Sequence, residues 1–187
     1  MRKNLGVQAC LYPMPVLVIG TYDGQDVANA MIATWGGISN YNQISIFLTQ
    51  SHKTVNNILE RKAFTVSIAD AAHVKECDYV GMVSGNEVSD KLKKASFHTV
   101  KSEFVDAPII EELPMTFECE LHSYNETTNI MIGTIVNLSV DEKIMNTEGK
   151  IDLAILQPIT FDSYNNEYIM LGKKIGTAMQ EGLNLND

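Results

Sequence analysis

The chain has 187 residues, of which 45% are hydrophobic and 20% charged, and its formal net charge is −9. This composition excludes wholesale disorder and predicts one globular domain over residues 1–187. The acidic charge argues against nucleic acid or an anionic membrane as a partner, because both would repel it. Prolines interrupt the apolar stretch near the N-terminus, so neither a signal peptide nor a membrane span is predicted, and the expected location is cytoplasmic.

Runs of β-branched and alternating residues predict that most elements are strands. An Asp-Gly turn at 22–26 joins the first two strands as a hairpin, and the glycine pair at 36–37 is expected to end the second. Gly133 lies inside the longest run and indicates a bulge or a close backbone approach. The predicted strands are 14–20, 27–35, 43–49, 63–68, 115–122, 130–140 and 168–171.

Helical patterns are short. Val55, Ile58 and Leu59 have the spacing of a short amphipathic helix, whose start Ser51 or Thr54 is expected to cap. From 70 to 94 the strand pattern gives way to a predicted helix, a loop and a second short helix, and another helix is expected at the C-terminus. Hairpin turns and the lack of βαβ alternation favour an antiparallel, mainly β barrel.

The sequence contains no GxGxxG, GxxxxGK[ST], GxSxG or HExxH motif. Its three cysteines, Cys10, Cys77 and Cys119, are widely spaced and form no CxxC pair. This usage fits a reducing compartment and argues against a disulfide framework or a zinc site. We therefore predict no metal and no catalytic side chain of the usual nucleophile or acid–base kinds.

Three segments nevertheless have the chemistry of a ligand site. Residues 51–54 (Ser-His-Lys-Thr) combine hydroxyls, a lysine and a helix start, which suits an anion. Residues 29–35 place small and polar side chains in an apolar strand, which lets a flat ring approach, and residues 81–91 form a flexible loop around Gly85. A capped helix and a half-buried strand explain the first two equally well and are favoured on the residues alone; an exposed turn is not rejected for the third.

Taken in order along the chain, these segments resemble the flavin reductase-like family, in particular its flavoredoxin-type branch. Each matching piece is short, but together they run over nearly the whole chain. The matching residues are Pro15–Val18, Asn29–Met31 with Trp35, Ser51–Thr54 with Asn57 and Ile58, Asp78–Gly81, Val83–Gly85, Asp90–Lys91, Ala107–Pro114, Phe117–Cys119, Ile132–Gly133, Glu148–Asp152, Tyr168 and Leu171–Gly172.

The resemblance implies an FMN-binding split β-barrel, antiparallel and Greek-key-like, that forms a homodimer with the flavin near the subunit interface. The residues that it places along the isoalloxazine ring are Asn29, Ala30, Met31, Ile32, Ala33, Thr34 and Trp35. Those that it places at the phosphate are Ser51, His52, Lys53 and Thr54. A second flank is expected from Ser84, Gly85 and Lys91, in the same subunit or its partner.

The sequence departs from the family pattern at one position. Relatives often carry a cysteine just before the glycine of the Asp-Tyr-x-Gly segment, where this chain has Val80, and Cys77 lies three residues earlier. No thiol role is therefore carried over to that position. Cys119 is predicted to be a buried small hydrophobe, and a place in the core is favoured for Trp35 over stacking on the flavin.

Three functions remain open at this stage. The favoured one is an FMN-dependent oxidoreductase that takes electrons from NADH or NADPH, as a flavin reductase does. The alternative is a flavoredoxin-like electron carrier that holds FMN and exchanges electrons with a protein redox partner. A third, a barrel that binds a ligand without redox chemistry, is disfavoured because residues 51–54 and 84–91 keep the family pattern.

Overall fold

Residues 1–186, which the computed structural model describes, form eleven strands, four short α-helices and three 3-10 helices. The strands are β1 (Leu17–Tyr22), β2 (Ala28–Ala33), β3 (Gly36–Asn40), β4 (Gln43–Phe47), β5 (Ala63–Ile68), β6 (Thr99–Lys101), β7 (Pro108–Ile110), β8 (Met115–Asn125), β9 (Ile130–Val140), β10 (Ile159–Asp162) and β11 (Glu167–Met170). The α-helices are α1 (Lys53–Arg61), α2 (Val74–Met82), α3 (Lys91–Lys94) and α4 (Leu153–Leu156). The 3-10 helices are Ala71–His73, Glu142–Ile144 and Glu181–Asn186.

Seven strands form one antiparallel sheet in the order β2-β1-β5-β8-β9-β4-β3, and two small ribbons, β6-β7 and β10-β11, flank it. The edge strands β2 and β3 are joined by only two residues, Thr34 and Trp35. That connection spans at most about 11 Å, whereas the edges of a flat seven-stranded sheet lie roughly 29 Å apart. The sheet must therefore curl until its two edges meet, which makes it a barrel and confirms the mainly β, antiparallel prediction.

Strand β1, which pairs with β2 and β5, is buried on both faces. Leu17 and Ile19 point into the barrel, where they pack in one hydrophobic cluster with Phe64 of β5. Val18 points the other way, into a second cluster that includes Val80 of α2. A strand covered on both sides has a continuous apolar sequence rather than an alternating one, which is why this run is conspicuous in the sequence.

Most predicted elements are present, with shifted ends. β5 is found at the predicted residues, and the 70–94 region has the predicted helix, loop and short helix. β1 starts at Leu17 rather than at 14, and Pro15 makes only an isolated bridge to Thr160. The prediction that glycines end the second strand is wrong in detail, since Gly36 opens β3. A Cβ at Gly36 would lie 3.0 Å from Leu17 Cδ1 and from the Ser45 carbonyl oxygen, so glycine permits the tight crossing.

None of the helices within residues 1–186 is long and apolar enough to cross a membrane.

Gly133 is a position where the core has no room for added volume. A Cβ there would overlap Phe64 Cζ and would lie 2.9 Å from Cε1 and 3.2 Å from Cys119 Cβ. Both neighbours are fully buried. We expect Gly133→Ala to lower the free energy of unfolding by about 1–3 kcal/mol, because a packed core cannot absorb the added methyl group. Urea denaturation measures this, and Gly37→Ala, whose Cβ would meet nothing within 4 Å, should change stability much less.

Candidate functional site

The three segments singled out in the sequence meet at one cleft of about 210 Å³. It lies between β2, the start of α1 and the loop that follows α2. Its lining consists of Asn29, Met31, Ser51, His52, Lys53, Thr54, Val80, Gly81, Met82, Val83, Ser84, Gly85 and Lys91. Nine of these thirteen belong to the predicted site residues, so the fold gathers in one place groups that are more than 60 residues apart in the chain.

Buried hydrogen bonds attach α1 to the β1–β2 hairpin and so fix one wall of the cleft. Asn29 Nδ2 donates to Thr54 Oγ1 over 3.0 Å, and Asn57 Nδ2 donates to Thr21 Oγ1 over 2.9 Å. All four residues are at most 4% exposed. The apolar side of α1, with Val55 and Ile58, packs into the barrel core. Thr54 thereby presents its hydroxyl oxygen at the junction of strand and helix.

The predicted cap of α1 is wrong. The helix begins at Lys53 with His52 as its N-cap residue, and no side chain among the described residues caps it. Thr54 lies in the first turn instead, where its hydroxyl is engaged by Asn29. The first backbone amides of a helix are hydrogen-bond donors that suit an anion, and this helix start lines the cleft.

The charge at the cleft is positive. Lys53 and Lys91 supply it, and no carboxylate belongs to the lining of the cleft within residues 1–186. The nearest countercharge in contact with these groups is Asp23, whose Oδ2 accepts from Lys53 Nζ over 2.9 Å. Partial burial, aided by the Lys91 charge, lowers the pKa of His52. The cleft as a whole suits an anionic group.

Lys91 is an unusual lysine because it is only 3% exposed. Its Nζ donates to the carbonyl oxygens of Val80 and Val83 over 3.0 and 2.8 Å, which leaves one donor of the ammonium group for the cleft. Burial and the nearby Lys53 charge lower the pKa of Lys91 to about 8. The side chain therefore fixes the end of α2 to α3 and also brings a titratable charge to the site.

Gly85 forms the opposite wall. A Cβ at this position would overlap Asn29 Oδ1 and would lie 3.1 Å from Asn29 Cγ and 3.3 Å from Lys53 Cδ. The loop after α2 therefore approaches β2 and α1 more closely than a larger residue allows. Ser84, beside it, is exposed at the rim.

A second recess of about 280 Å³ adjoins the cleft, with which it shares Met31 and His52. Trp35 lies at its rim, 50% exposed, with its ring tilted against Phe47 at a centroid distance of 5.5 Å. The core position favoured for Trp35 is therefore wrong. The crossing from β2 to β3 carries this side chain outside the barrel. The recess is lined by Met31, Ile32, Ala33, Thr34, Trp35, Phe47, Thr49 and His52.

One of the predicted ring-lining residues on β2 lies away from the site. Ala30 is fully buried in the cluster beneath α2 and lines neither the cleft nor the recess within the described part of the chain. Sequence reasoning missed Asp23, Phe47 and Thr49, because their proximity to the site depends on pairings between distant segments. For Asp23 the sequence shows only a turn residue, 30 positions before Lys53.

Two of the three cysteines lie in the hydrophobic core and do not line the cleft or the recess within residues 1–186. Cys77 and Cys119 are at most 1% exposed, and burial raises the pKa of each thiol to about 12, which makes them unreactive. The prediction for Cys119 is confirmed. Among residues 1–186, no three His, Cys, Asp or Glu side chains are grouped so as to hold a metal ion.

Comparison with known proteins extends these observations. The model of the family described as flavin reductase like domain matches residues 9–158. The flavoredoxin of Desulfovibrio vulgaris (Miyazaki F) is 35% identical, with a TM-score of 0.93 over 97% of this chain and 100% of that one. The flavoredoxin from Methanosarcina acetivorans is 28% identical, with a TM-score of 0.85 over 99% and 98%. An FMN-binding domain of a flavin reductases-like enzyme from Shewanella baltica, 16% identical with a TM-score of 0.78 over 87% and 88%, is similar in fold alone.

Proposed function

The chain belongs to the flavin reductase-like family, and we propose that it is an FMN-dependent oxidoreductase that takes electrons from NADH or NADPH. The observation that carries this proposal is the cleft itself. Two lysines and a histidine line it without a carboxylate in the described residues, and it adjoins the recess beside Trp35. A phosphate and a flat ring joined by a short chain have this distribution of charge and shape.

The residues present fit FMN in three respects. The phosphate carries about two negative charges at neutral pH, and Lys53, Thr54 and the start of α1 offer the donors that it needs. Gly85 keeps the facing wall close without a side chain of its own. In the adjoining recess, aromatic and aliphatic side chains suit the isoalloxazine ring, since flat rings bind against apolar walls that carry a few polar groups.

Bound FMN supplies the redox chemistry, and the protein binds and orients it. Lys53 and Thr54 hold the phosphate end, and Lys91 keeps the loop after α2 in place through Val80 and Val83. Met31 and Trp35 border the ring. We assign no acid, base or nucleophile to the chain, because flavin-based electron transfer requires none.

We further propose a homodimer with the flavin near the subunit interface, built from one domain over residues 1–187 and located in the cytoplasm. Exposed apolar side chains support a partner surface: Val136 and Leu138, which lie two residues apart and so on the same face of β9, are 41% and 39% exposed. Contiguous exposed apolar surface is typical of subunit interfaces.

The alternative function is a flavoredoxin-like electron carrier that takes electrons from a protein redox partner without turning over NAD(P)H. The 35% identity to a flavoredoxin over its full length favours it. The exposed edge of Trp35 and Phe47 is accessible to either kind of electron donor.

One experiment tests the proposed function and distinguishes the two. The purified protein is reconstituted with FMN, and its absorbance spectrum is recorded anaerobically before and after NADH or NADPH. We expect a bound flavin spectrum that bleaches rapidly with one of these donors. A bound flavin that both leave oxidised would favour the carrier, and failure to bind FMN would refute both functions.

The pKa of Lys91 gives this site a pH dependence. A bound phosphate raises the pKa of a neighbouring lysine above its value of about 8 in the free protein. FMN affinity should then be constant from about pH 7 to 8 and fall at higher pH, by up to about tenfold per pH unit, as the free protein loses this proton. Fluorescence titrations between about pH 7 and 9.5 measure it. Lys91→Met should abolish the decline, and Lys93→Met, on the exposed side of α3, should keep it.

A further inference from the structure

Lys53 lines the cleft and also forms an ion pair with Asp23. Its Nζ donates to Asp23 Oδ2 over 2.9 Å, and the two side chains are 21% and 17% exposed. Asp23 lies in the turn between β1 and β2, and it is not among the residues that line the cleft within residues 1–186. Asp23 therefore contacts Lys53, which faces the proposed anion site, but the Asp23 carboxylate does not line that site.

The two carboxylate oxygens of Asp23 bind different partners. Oδ1 accepts from the backbone amides of Gln25 and Val27, each over 3.0 Å, and so holds the turn together. Oδ2 is the oxygen that pairs with Lys53. Arg61 also binds the turn, through the Asp23 carbonyl oxygen and through Asp26. The turn is thus held independently of the Asp23–Lys53 ion pair, which a turn of this kind does not need.

We infer that Asp23 sets the affinity of the cleft for FMN: it holds Lys53 in place and, by its negative charge, weakens phosphate binding enough for FMN to exchange. This inference rests on the proposed function. A phosphate oxygen and Asp23 Oδ2 bonded to the same ammonium lie at most about 6 Å apart, where like charges repel substantially even at a protein surface. The ordering of one lysine side chain is a smaller effect.

The consequence concerns the choice between a carrier and a reductase. A carrier gains from FMN that never leaves, whereas a reductase that treats flavin as a substrate needs it to dissociate. A countercharge behind the phosphate-binding lysine selectively weakens binding of the phosphorylated flavin. It has no such effect on riboflavin, which lacks the phosphate. The ratio of FMN to riboflavin affinity is therefore the quantity that Asp23 controls.

The test removes the negative charge of Asp23 and leaves the β1–β2 turn intact. In Asp23→Asn the remaining Oδ1 still accepts from Gln25 and Val27, and Asp23→Ser is a second neutral variant whose hydroxyl also accepts from turn amides. Dissociation constants for FMN and riboflavin are measured by fluorescence titration at several salt concentrations. We expect both variants to bind FMN about tenfold more tightly, with slower dissociation, a steeper salt dependence and unchanged riboflavin affinity.

The matched control is Asp26→Asn, in the same turn. Asp26 pairs with Arg61 rather than with Lys53 and its side chain is 83% exposed, so its removal should leave the FMN-to-riboflavin ratio unchanged. FMN binding that is unchanged or weaker in the neutral Asp23 variants, while the wild type binds FMN, overturns the inference alone. A wild type that does not bind FMN overturns the proposed function together with it.

Discussion

Replacing Lys53 and Thr54 together by alanine is expected to weaken FMN binding at least a hundredfold. Lys53 supplies the cation and Thr54 the hydroxyl at the start of α1, and both line the cleft. Each charge-assisted contact to the phosphate is worth roughly 1.5–3 kcal/mol, and two contacts together give about 3–6 kcal/mol. Because about 1.4 kcal/mol corresponds to a tenfold change, the loss falls between roughly two and four orders of magnitude. Fluorescence titration measures it.

Single variants show how much Thr54 alone contributes to FMN affinity. Thr54→Ser keeps the hydroxyl that accepts from Asn29 and should retain most of the affinity. Thr54→Ala leaves the Asn29 amide without its buried partner, so its stability must be measured alongside binding. Lys75→Ala, on the exposed side of α2, serves as the control for lost positive charge. If the folded double variant binds FMN as tightly as wild type, the side chains of Lys53 and Thr54 do not bind the phosphate.

The parts of the fold that the sequence predicts are those governed by local chemistry. β5 was predicted at its observed residues because a short β-branched run, bounded by a helix end and a polar segment, has few other structures available. The hairpin of β1 and β2 follows from its Asp-Gly turn. Gly133 was predicted to allow a bulge or a close approach, and the ring of Phe64 does lie against it.

The parts that the sequence does not predict depend on distant pairings. The passage from β2 to β3 joins opposite edges of the sheet through two residues, and no local pattern indicates that the edges meet. The exposure of Trp35 follows from that passage, whereas an isolated tryptophan in an apolar run is ordinarily assigned to the core. The exposure of Trp35 therefore depends on the curvature of the barrel, which no local sequence pattern shows.

In the functional site, too, local sequence predicts the residue types but not the contacts between distant segments. The residue types at 51–54 suit an anion but fit an ordinary capped helix equally well, and those around Gly85 predict only a flexible loop. The family resemblance groups these segments, but it does not show how they are held. The Asp23–Lys53 pair and the two carbonyl contacts of Lys91 arise only when the β1–β2 turn, α1 and the end of α2 come together. Those contacts determine how much positive charge the cleft offers.

The second large effect is expected from Gly85→Val, which fills the facing wall of the cleft. Even a Cβ here would overlap Asn29 Oδ1, and Asn29 is 4% exposed and bonded to Thr54, so it cannot yield freely. The loop must move away, which separates the two walls, or Asn29 must rotate, which breaks its hydrogen bond to Thr54. At the upper end of overpacking effects, about 3 kcal/mol, FMN affinity falls roughly a hundredfold.

Stability measurements separate this steric effect from unfolding. Ser84 and Asn86 on either side of Gly85 are exposed, so the loop can relax outward and the urea midpoint should change little. Gly172→Ala, where a Cβ would meet nothing within 4 Å, is the matched control and should leave FMN affinity unchanged. Wild-type affinity in Gly85→Val would mean that the flavin does not lie between the loop after α2 and β2. The phosphate contacts would then have to come from the α1 side alone, where Lys53 is the cation and Asp23 its countercharge.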